Sequence, residues 1–462
     1  MTFSFVVLGT FITRSGLVES VHAFEGDTVS FWFFIGLIVS SLVIGVLGLV
    51  WRRKTFVSED EISSFTGREA AYYFNNVFMV VSALLLTYLT LASALPSWLP
   101  YGGQSVDAGT YETVARIIGI VYFLMMSICP LLSWRKTDGA AFWKKALVPG
   151  ICAAAFFALL MLLFATSLLP SYNAIIAGGG TAADDLAAQG PAWYYNGIAV
   201  LGFLVASLLL FNSIFAFARD VKAQGEASGG KGFINYFRYR ATRAGGMIVH
   251  MGMAVMLVGL IGSMMYVTEQ VAYLDAGGST QVDSFTVTLD KGLHGYDGEN
   301  LVYGTQVTLY NANGVALGTT IPNYELTMNN QQKSNAAVFN MPLTDVFVAY
   351  QGNNTSGQYS LDIRVNPLIS FVWAGLVMLI IGSVLSLLLR NRGRKRAAAD
   401  GEEKPTPALD DSGQTVAELE SHVEELEAKL RALENASDDS AKAADGAKAD
   451  GAKAADGVKS RK

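Results

Sequence analysis

GGMIVHMGMAVMLVGLIGSMMYV (245–267) is an apolar run in which one imidazole, His250, is the single ionisable group before Tyr266. Crossing ~30 Å of hydrocarbon takes about 20 predominantly apolar residues, and this stretch supplies them. A titratable side chain in hydrocarbon is costly, so it is usually partnered and functional. Gly246 and Ala254 lie four residues either side of His250, hence above and below it on one helical face. Small neighbours leave room for something flat and wide. A metal-centred macrocycle would fit, with the neutral imidazole as its axial ligand. A histidine hydrogen-bonded to a neighbouring helix is the competing reading, and the segment alone leaves both open.

The rest of the chain extends the membrane reading. Of its 462 residues, 52% are hydrophobic and only 16% are charged, a composition foreign to soluble proteins of this length. Apolar runs predict spans at about 30–51, 73–95, 114–134, 147–169, 194–217, 245–267 and 368–389. The opening MTFSFVVLGTFIT (1–13) is too short to span. It lacks the basic n-region and small-residue cleavage site of a signal peptide, and reads as the last part of a helix whose first part is missing.

Basic residues set the expected orientation. Arg52-Arg53-Lys54, Arg135-Lys136, Lys144-Lys145, the 219–243 loop and RNRGRKR (390–396) fall at alternate span ends, while 14–28, 96–112 and 170–192 hold almost none. The positive-inside rule assigns the first set to the cytoplasm and the second to the outside. The expected fold is an α-helical polytopic membrane protein with an inserted small external β-rich domain and a cytoplasmic coiled-coil and disordered tail. Residues 1–267 would hold one partial and six full spans, 268–366 the external domain and 367–393 the last span. A linker (394–413), a coiled coil (414–435) and a disordered tail (436–462) would follow.

Local patterns support these divisions. TQVTLY (305–310) and GVALGT (314–319) alternate around Asn311-Ala312-Asn313-Gly314, a hairpin signature. Val416, Leu419, Val423, Leu426, Leu430 and Leu433 follow heptad spacing, which makes self-association through 414–435 one reading and a fold-back the other. The closing AKAADGAKADGAKAADGVKSRK is too polar to bury a core.

Several functions are excluded. Cys129 and Cys152 sit in apolar spans and form no CxxC pair. There is no phosphate loop, zinc-ligand cluster or serine-triad signature. The basic residues track membrane topology and the net charge is −6, so nucleic acid is not an expected partner; membrane lipid is. Among the other histidines, His422 reads as solvated surface and His294 as part of a glycine-rich surface turn, KGLHGYDG. His22 is flanked by Val21, Ala23 and Phe24 in a short external loop. It is either a loop histidine or a metal ligand reaching over the membrane edge.

LGTFITRSGLVESVHAF (8–24) resembles the LGTFxxRSGxxxSVHAF segment of the CcmF-type cytochrome c haem lyases. The likeness continues in order. GREAAYYFNNVFMVVSALLLTYLTL (67–91), SICPLLSWRK (127–136) and GGMIVHMGMAVMLVGL (245–260) resemble the family's SREsxxxxNNxxL, GxGPLxxWR and GmxxaHxGxAvxxxGi patterns. The collinear set covers residues 1 to about 393, and the RSG…SVHAF motif is specific.

The resemblance implies a protein that presents haem to an unfolded apocytochrome c. Thioether bonds then form between the haem vinyl groups and the cysteines of CxxCH. It implies His22 as one axial ligand of the substrate haem, and so a catalytic residue, and His250 as one axial ligand of a resident haem b. Positioning two reactants and poising the iron, rather than acid, base or nucleophile, would do the work. A haem chaperone is an implied partner. The family's WGxxWxWD stretch is absent, and its other two haem histidines normally precede the LGTF helix, so the chain resembles only the C-terminal portion. Either a separate N-terminal half or subunit carries WGxxWxWD, or Met1 is not the true beginning. Glu19 also stands where the family usually has an apolar residue.

His250 is seven residues past Arg243, so ~10 Å along its helix, and the two histidines are expected at different membrane depths. Two other readings stay open: a non-catalytic scaffold subunit of a maturation complex, and a lyase specialised for one cytochrome such as a nitrite reductase.

Overall fold

The computed structural model describes residues 2–14, 28–56, 64–227, 230–298, 300–327 and 332–388. Its helices are α1 (Thr2–Arg14), α2 (Thr28–Trp51), α3 (Arg68–Thr90), α4 (Ala108–Ile128), α5 (Gly139–Leu163), α6 (Leu169–Gly178), α7 (Thr181–Ala188), α8 (Ala192–Ala227), α9 (Gly232–Tyr239), α10 (Ala241–Leu260) and α11 (Ile369–Leu388). Among the described residues, α2, α3, α4, α5 continuing through α6, α8, α10 and α11 make seven helices long and apolar enough to cross a membrane. This is a multi-pass membrane architecture with an inserted β-rich domain, the class read from the sequence. The heptad segment 414–435 and the tail lie outside the described residues.

Two helices run longer than apolar composition predicts. The fifth continues through a widened π turn at Phe164–Leu168, which restarts as α6 with Pro170 in its first turn, where the missing N–H is harmless. The eighth runs past its apolar part into ARDVKAQGEA, whose residues are mostly good helix formers. Asp107 and Asp138 start α4 and α5 by accepting first-turn backbone N–H groups from Thr110 and from Ala140 and Ala141.

Glycine decides how α10 meets α11. Gly245, Gly252 and Gly259 recur every seven residues on α10, as do Gly375 and Gly382 on α11. A Cβ on Gly252 would lie 2.9 Å from the Gly375 carbonyl, and a Cβ on Gly375 would lie 2.6 Å from the Gly252 carbonyl. Gly245 and Gly382 face each other in the same reciprocal way, and a Cβ on Gly259 would meet the Val372 nitrogen at 2.5 Å. The backbones themselves are in contact, an arrangement only glycine permits. Lipid tails are as apolar as leucine, so such close approach is what holds helices together in a bilayer. The seven-residue period keeps the seam facing its partner along the whole length.

The motifs GREAA and SICPLLSWRK also meet. Arg68 donates from Nε to the Cys129 carbonyl and from Nη2 to the Leu132 carbonyl at 2.6 Å, and its backbone N–H reaches the Ser133 carbonyl. A Cβ on Gly67 would crowd the Trp134 carbonyl at 2.9 Å. The start of α3 is thereby pinned to the end of α4.

Between α10 and α11 the described residues form ten strands: β1 (Thr268–Leu274), β2 (Ser279–Val282), β3 (Phe285–Asp297), β4 (Asn300–Asn311), β5 (Ala316–Thr320), β6 (Asn323–Leu326), β7 (Gln332–Asn335), β8 (Ala337–Asn340), β9 (Thr344–Asn353) and β10 (Tyr359–Pro367). They form two sheets, β1-β10-β9-β8 and β2-β3-β4-β6-β7, with β5 added to β4. Alternate residues face inward. Val287, Leu289, Val307 and Leu309 from one sheet and Val346, Val348, Leu361 and Ile363 from the other fill the core. The Asn311–Gly314 turn forms as read: the Asn311 side chain accepts from the Asn313 and Val315 N–H groups, and Gly314 takes φ +75°.

The β-domain has no flexible tether. Only Val267 separates Tyr266 from β1, and Leu368 alone separates β10 from α11. Leu368 holds φ +61°, rare for a bulky residue. It is fixed by its N–H bond to the Leu343 carbonyl and by burial against Gly262.

Tyr303, Tyr324, Tyr350 and Tyr359 stack in a row, with centroids 5.4, 5.4 and 6.0 Å apart. Burial pushes the Tyr350 phenol up to about 12, helped by its tyrosine neighbours. The neutral phenol is therefore the form the fold favours. Stability from this group is intact below the ordinary value of 10 and lost as pH rises through about 12. The thermal midpoint of the full chain in detergent is expected to fall across that window and to fall less in Tyr350→Phe; equal slopes would count against this. Gly252→Leu should lower the same midpoint through overpacking of about 1–3 kcal/mol or more. Gly36→Ala, on α2 with nothing within 4 Å of the added Cβ, should leave it unchanged.

Candidate functional site

The glycine seam orients His250. It lies two residues before Gly252 and five after Gly245, which turns it roughly 140–160° away from the face that meets α11. The imidazole is half-buried, and its Nδ1 is sealed from the surface with no hydrogen-bond partner. Among the described residues, no neighbouring helix takes a hydrogen bond from that nitrogen.

The two small residues flanking His250 differ. A Cβ on Gly246 would meet no heavy atom within 4 Å, whereas Ala254 is 1% exposed. The side chains of Met247 and Met253, three residues either way, are partly exposed and flexible.

Among the described residues, no three His, Cys, Asp or Glu side chains converge as a metal-binding group. One imidazole alone can supply an axial bond to a metal whose other ligands come from a macrocycle. An orphaned imidazole nitrogen beside open helix surface fits haem on those terms.

Each end of α10 is anchored. At the end away from the β-domain, Arg243 makes a bidentate pair with Asp220 at 2.6 and 2.9 Å, and the Tyr236 hydroxyl donates to the same carboxylate. At the other end the helix opens into a second π turn, Ile261–Met265. The displaced Met265 carbonyl accepts from the Tyr195 hydroxyl, and the Tyr266 hydroxyl donates to Asn196 Oδ1 at 2.8 Å. Tyr172, Tyr195 and Tyr266 pack together there.

Sequence reading missed Arg116. It lies within the apolar fourth helix, and its Nη2 donates to Glu112 at 2.8 Å and to Gln189 at 2.6 Å. The guanidinium stands 5.1 Å over the Tyr195 ring, which faces it with π-electron density; Nη1 has no conventional acceptor. An arginine inside a span with glutamate four residues before it was the available signal. Its other partners could not be read, because Gln189 lies 73 residues away.

Arg116 edges a cavity of about 240 Å³ bounded by α4, α8 and α10. Leu257, Ile261 and Met264 line it, 7, 11 and 14 residues past His250 and so on the same stripe of α10. The cavity begins ~10 Å along the helix from the imidazole and is a separate space.

Of the other sequence candidates, His22 and His422 lie outside the described residues. His294 is not in a turn. It sits in β3 opposite Tyr303, exposed, and Gly292 nearby is required because a Cβ there would collide with the Tyr359 ring. Cys129 and Cys152 are unpaired.

No family model matches the chain. It is 24% identical over 396 residues to the cytochrome c-type biogenesis protein CycK of Bradyrhizobium diazoefficiens, covering 84% of this chain and 54% of that protein. Similarity to CcmF of Escherichia coli is 24% over 86% of this chain and 55% of the relative; to NrfE of Haemophilus influenzae, 21% over 86% and 56%. A solved structure of the cytochrome c haem lyase CcmF shares the fold, with a TM-score of 0.56 at 18% identity over 84% of this chain and 53% of that one. The homologues are thus CcmF/CycK cytochrome c-type biogenesis proteins, and the chain spans about half the length of the curated relatives it matches.

Arg116→Gln should destabilise the protein by roughly 1–3 kcal/mol, because Glu112 is left uncompensated and Gln189 loses its donor. Glu112→Gln in that background should recover part of the loss. Thermal unfolding of the single and double variants in detergent checks both, and a double variant as unstable as the sum of its parts would sink the pairing.

Proposed function

We propose that the chain is the C-terminal portion of a cytochrome c haem lyase that holds haem at the outer membrane face and promotes thioether attachment to the CxxCH of apocytochrome c. His250 carries the reading. An imidazole that no described group hydrogen-bonds leaves its ring free to ligate a metal, and it stands in a homologue of cytochrome c biogenesis proteins. In this reading His250 holds a resident haem b and His22 is one ligand of the substrate haem. The β-domain is external and the C-terminal tail cytoplasmic.

Haem bound at His250 would supply one-electron chemistry. The chain's own part is positional. The seam with α11 fixes the direction of the imidazole. Each proposed haem site has one histidine here, so the second ligand comes from a segment carrying WGxxWxWD. Among the described residues α2 has no buried side chain and packs on α1, through Phe11 on Phe31 and Ser4 on Ser41; it is the surface such a segment would cover. Apocytochrome c and a haem chaperone are the remaining partners, and 414–435 is a candidate self-association segment.

The chain purified with a WGxxWxWD-bearing partner is expected to show b-type haem absorption that disappears in His250→Ala while the protein still accumulates. Absence of haem from the wild-type complex, or its full retention in His250→Ala, would overturn the assignment. Maturation of a CxxCH reporter cytochrome in cells should fail in both His22→Ala and His250→Ala; unimpaired maturation favours a scaffold.

A further inference from the structure

We propose that the cavity between α4, α8 and α10 is a lipid site. It holds one acyl chain of a membrane glycerophospholipid inside the bundle, with the ester end of that chain at the Glu112–Arg116 pair.

The shape of the cavity follows from the helices that bound it. α4 and α10 both pack on α8, and the space lies between them. On α4 the lining residues are Glu112, Ala115, Arg116, Gly119, Ile120 and Phe123, a single helical face. Eleven residues separate the first from the last, so the slot runs ~16 Å along that helix. Its two ends differ in chemistry. Glu112 and Arg116 sit together at one end, and the other lining residues are apolar. The polar end is the one beside the β-domain, because Arg116 stands over the Tyr195 ring and the Tyr195 hydroxyl reaches the Met265 carbonyl. Polar near the end of the spans and apolar toward their middle is also the order of ester and chain in one leaflet.

The slot opens sideways. Ala115 is exposed and Met264 is 59% exposed at its mouth, whereas Gly202 and Ile261 are buried at its floor. Both mouth residues belong to membrane spans, so what enters comes from within the bilayer. A volume of about 240 Å³ does not admit a transmembrane helix, which is about 10–12 Å across. Apolar cavities of this kind stay dry and take apolar guests. In a bilayer the apolar guest at hand is an acyl chain.

Charge decides which part of the lipid matters. Arg116 is paired with Glu112 at 2.8 Å and also donates to Gln189, so the polar end carries no net charge. An anionic headgroup would bring a second negative charge to a compensated pair. A neutral ester carbonyl brings none, so the site selects the chain and not the headgroup.

The glycines of the wall supply the handle. A Cβ on Gly202 would meet Ile261 Cδ1 at 2.8 Å, so that glycine serves the packing of α8 on α10. Gly119 lines the cavity, and a Cβ there would meet no described atom within 4 Å. A larger side chain at residue 119 would occupy the slot itself.

The test places the full chain in nanodiscs of dioleoylphosphatidylcholine doped with a phosphatidylcholine bearing a photoactivatable diazirine on one acyl chain. Labelled residues are read by peptide mass spectrometry. Label is expected on Ile261, which is 5% exposed and out of reach of lipids around the outside of the bundle. It should fall roughly ten-fold in Gly119→Leu. Gly36→Leu, equally open but on α2, should leave the Ile261 label unchanged. Gly119→Leu fills space and replaces a helical glycine, so its thermal midpoint should equal or exceed that of wild type. Unlabelled phosphatidylglycerol and phosphatidylcholine should compete alike. Wild-type label confined to exposed residues such as Met264 would overturn the proposal without recourse to any variant. So would Ile261 label that persists in a folded Gly119→Leu, or competition by phosphatidylglycerol roughly ten-fold stronger than by phosphatidylcholine.

Discussion

The direct backbone contact between α10 and α11 is the constraint on which the rest of the structure depends. Hydrophobic burial cannot drive two helices together in lipid, so the attraction has to come from close packing over a long surface. Glycine at every seventh position supplies that surface, and the reciprocal approach of Gly252 and Gly375 is its centre. Once the seam is set, each other face of α10 has a defined neighbour or none. His250 points away from α11, the Ile261–Met265 turn meets the tyrosines of α6 and α8, and Arg243 reaches Asp220. A single choice of packing face thus fixes the candidate ligand and both anchors of its helix.

Much of this was legible in the sequence, for reasons that are local. A membrane span needs length and apolarity, both of which a run of residues shows by itself. The imidazole of His250 stood out because nothing else nearby can ionise. The hairpin at Asn311–Gly314 was readable because turn geometry is a property of a few adjacent residues. What escaped reading was non-local. Gly292 looked like turn punctuation around His294, but its reason is the ring of Tyr359, brought in from the end of the domain. Likewise Arg116 acquires meaning only when the α7–α8 connection brings Gln189 and Tyr195 beside it. The seven-residue glycine period was present in the letters, yet only pairing with Gly375 and Gly382 separates the seam glycines from Gly246.

Electrostatic design within the bundle follows one rule: charges in apolar surroundings arrive already compensated. Arg116 has Glu112 on its own helix, and Arg243 has Asp220 on the next. Compensated pairs hold position without inviting a counter-ion. The buried side-chain atom of α10 without a hydrogen-bond partner among the described residues is Nδ1 of His250.

The joint between bundle and β-domain has a mechanical meaning. The antiparallel seam of α10 and α11 leads through the Ile261–Met265 turn on one side and Leu368 on the other into the antiparallel ladder of β1 and β10, where Thr268 opposes Val365. Leu368 is locked in a conformation leucine seldom takes. Helix pair and strand pair are therefore joined directly, and the orientation of the β-domain is tied to that of α10 and α11.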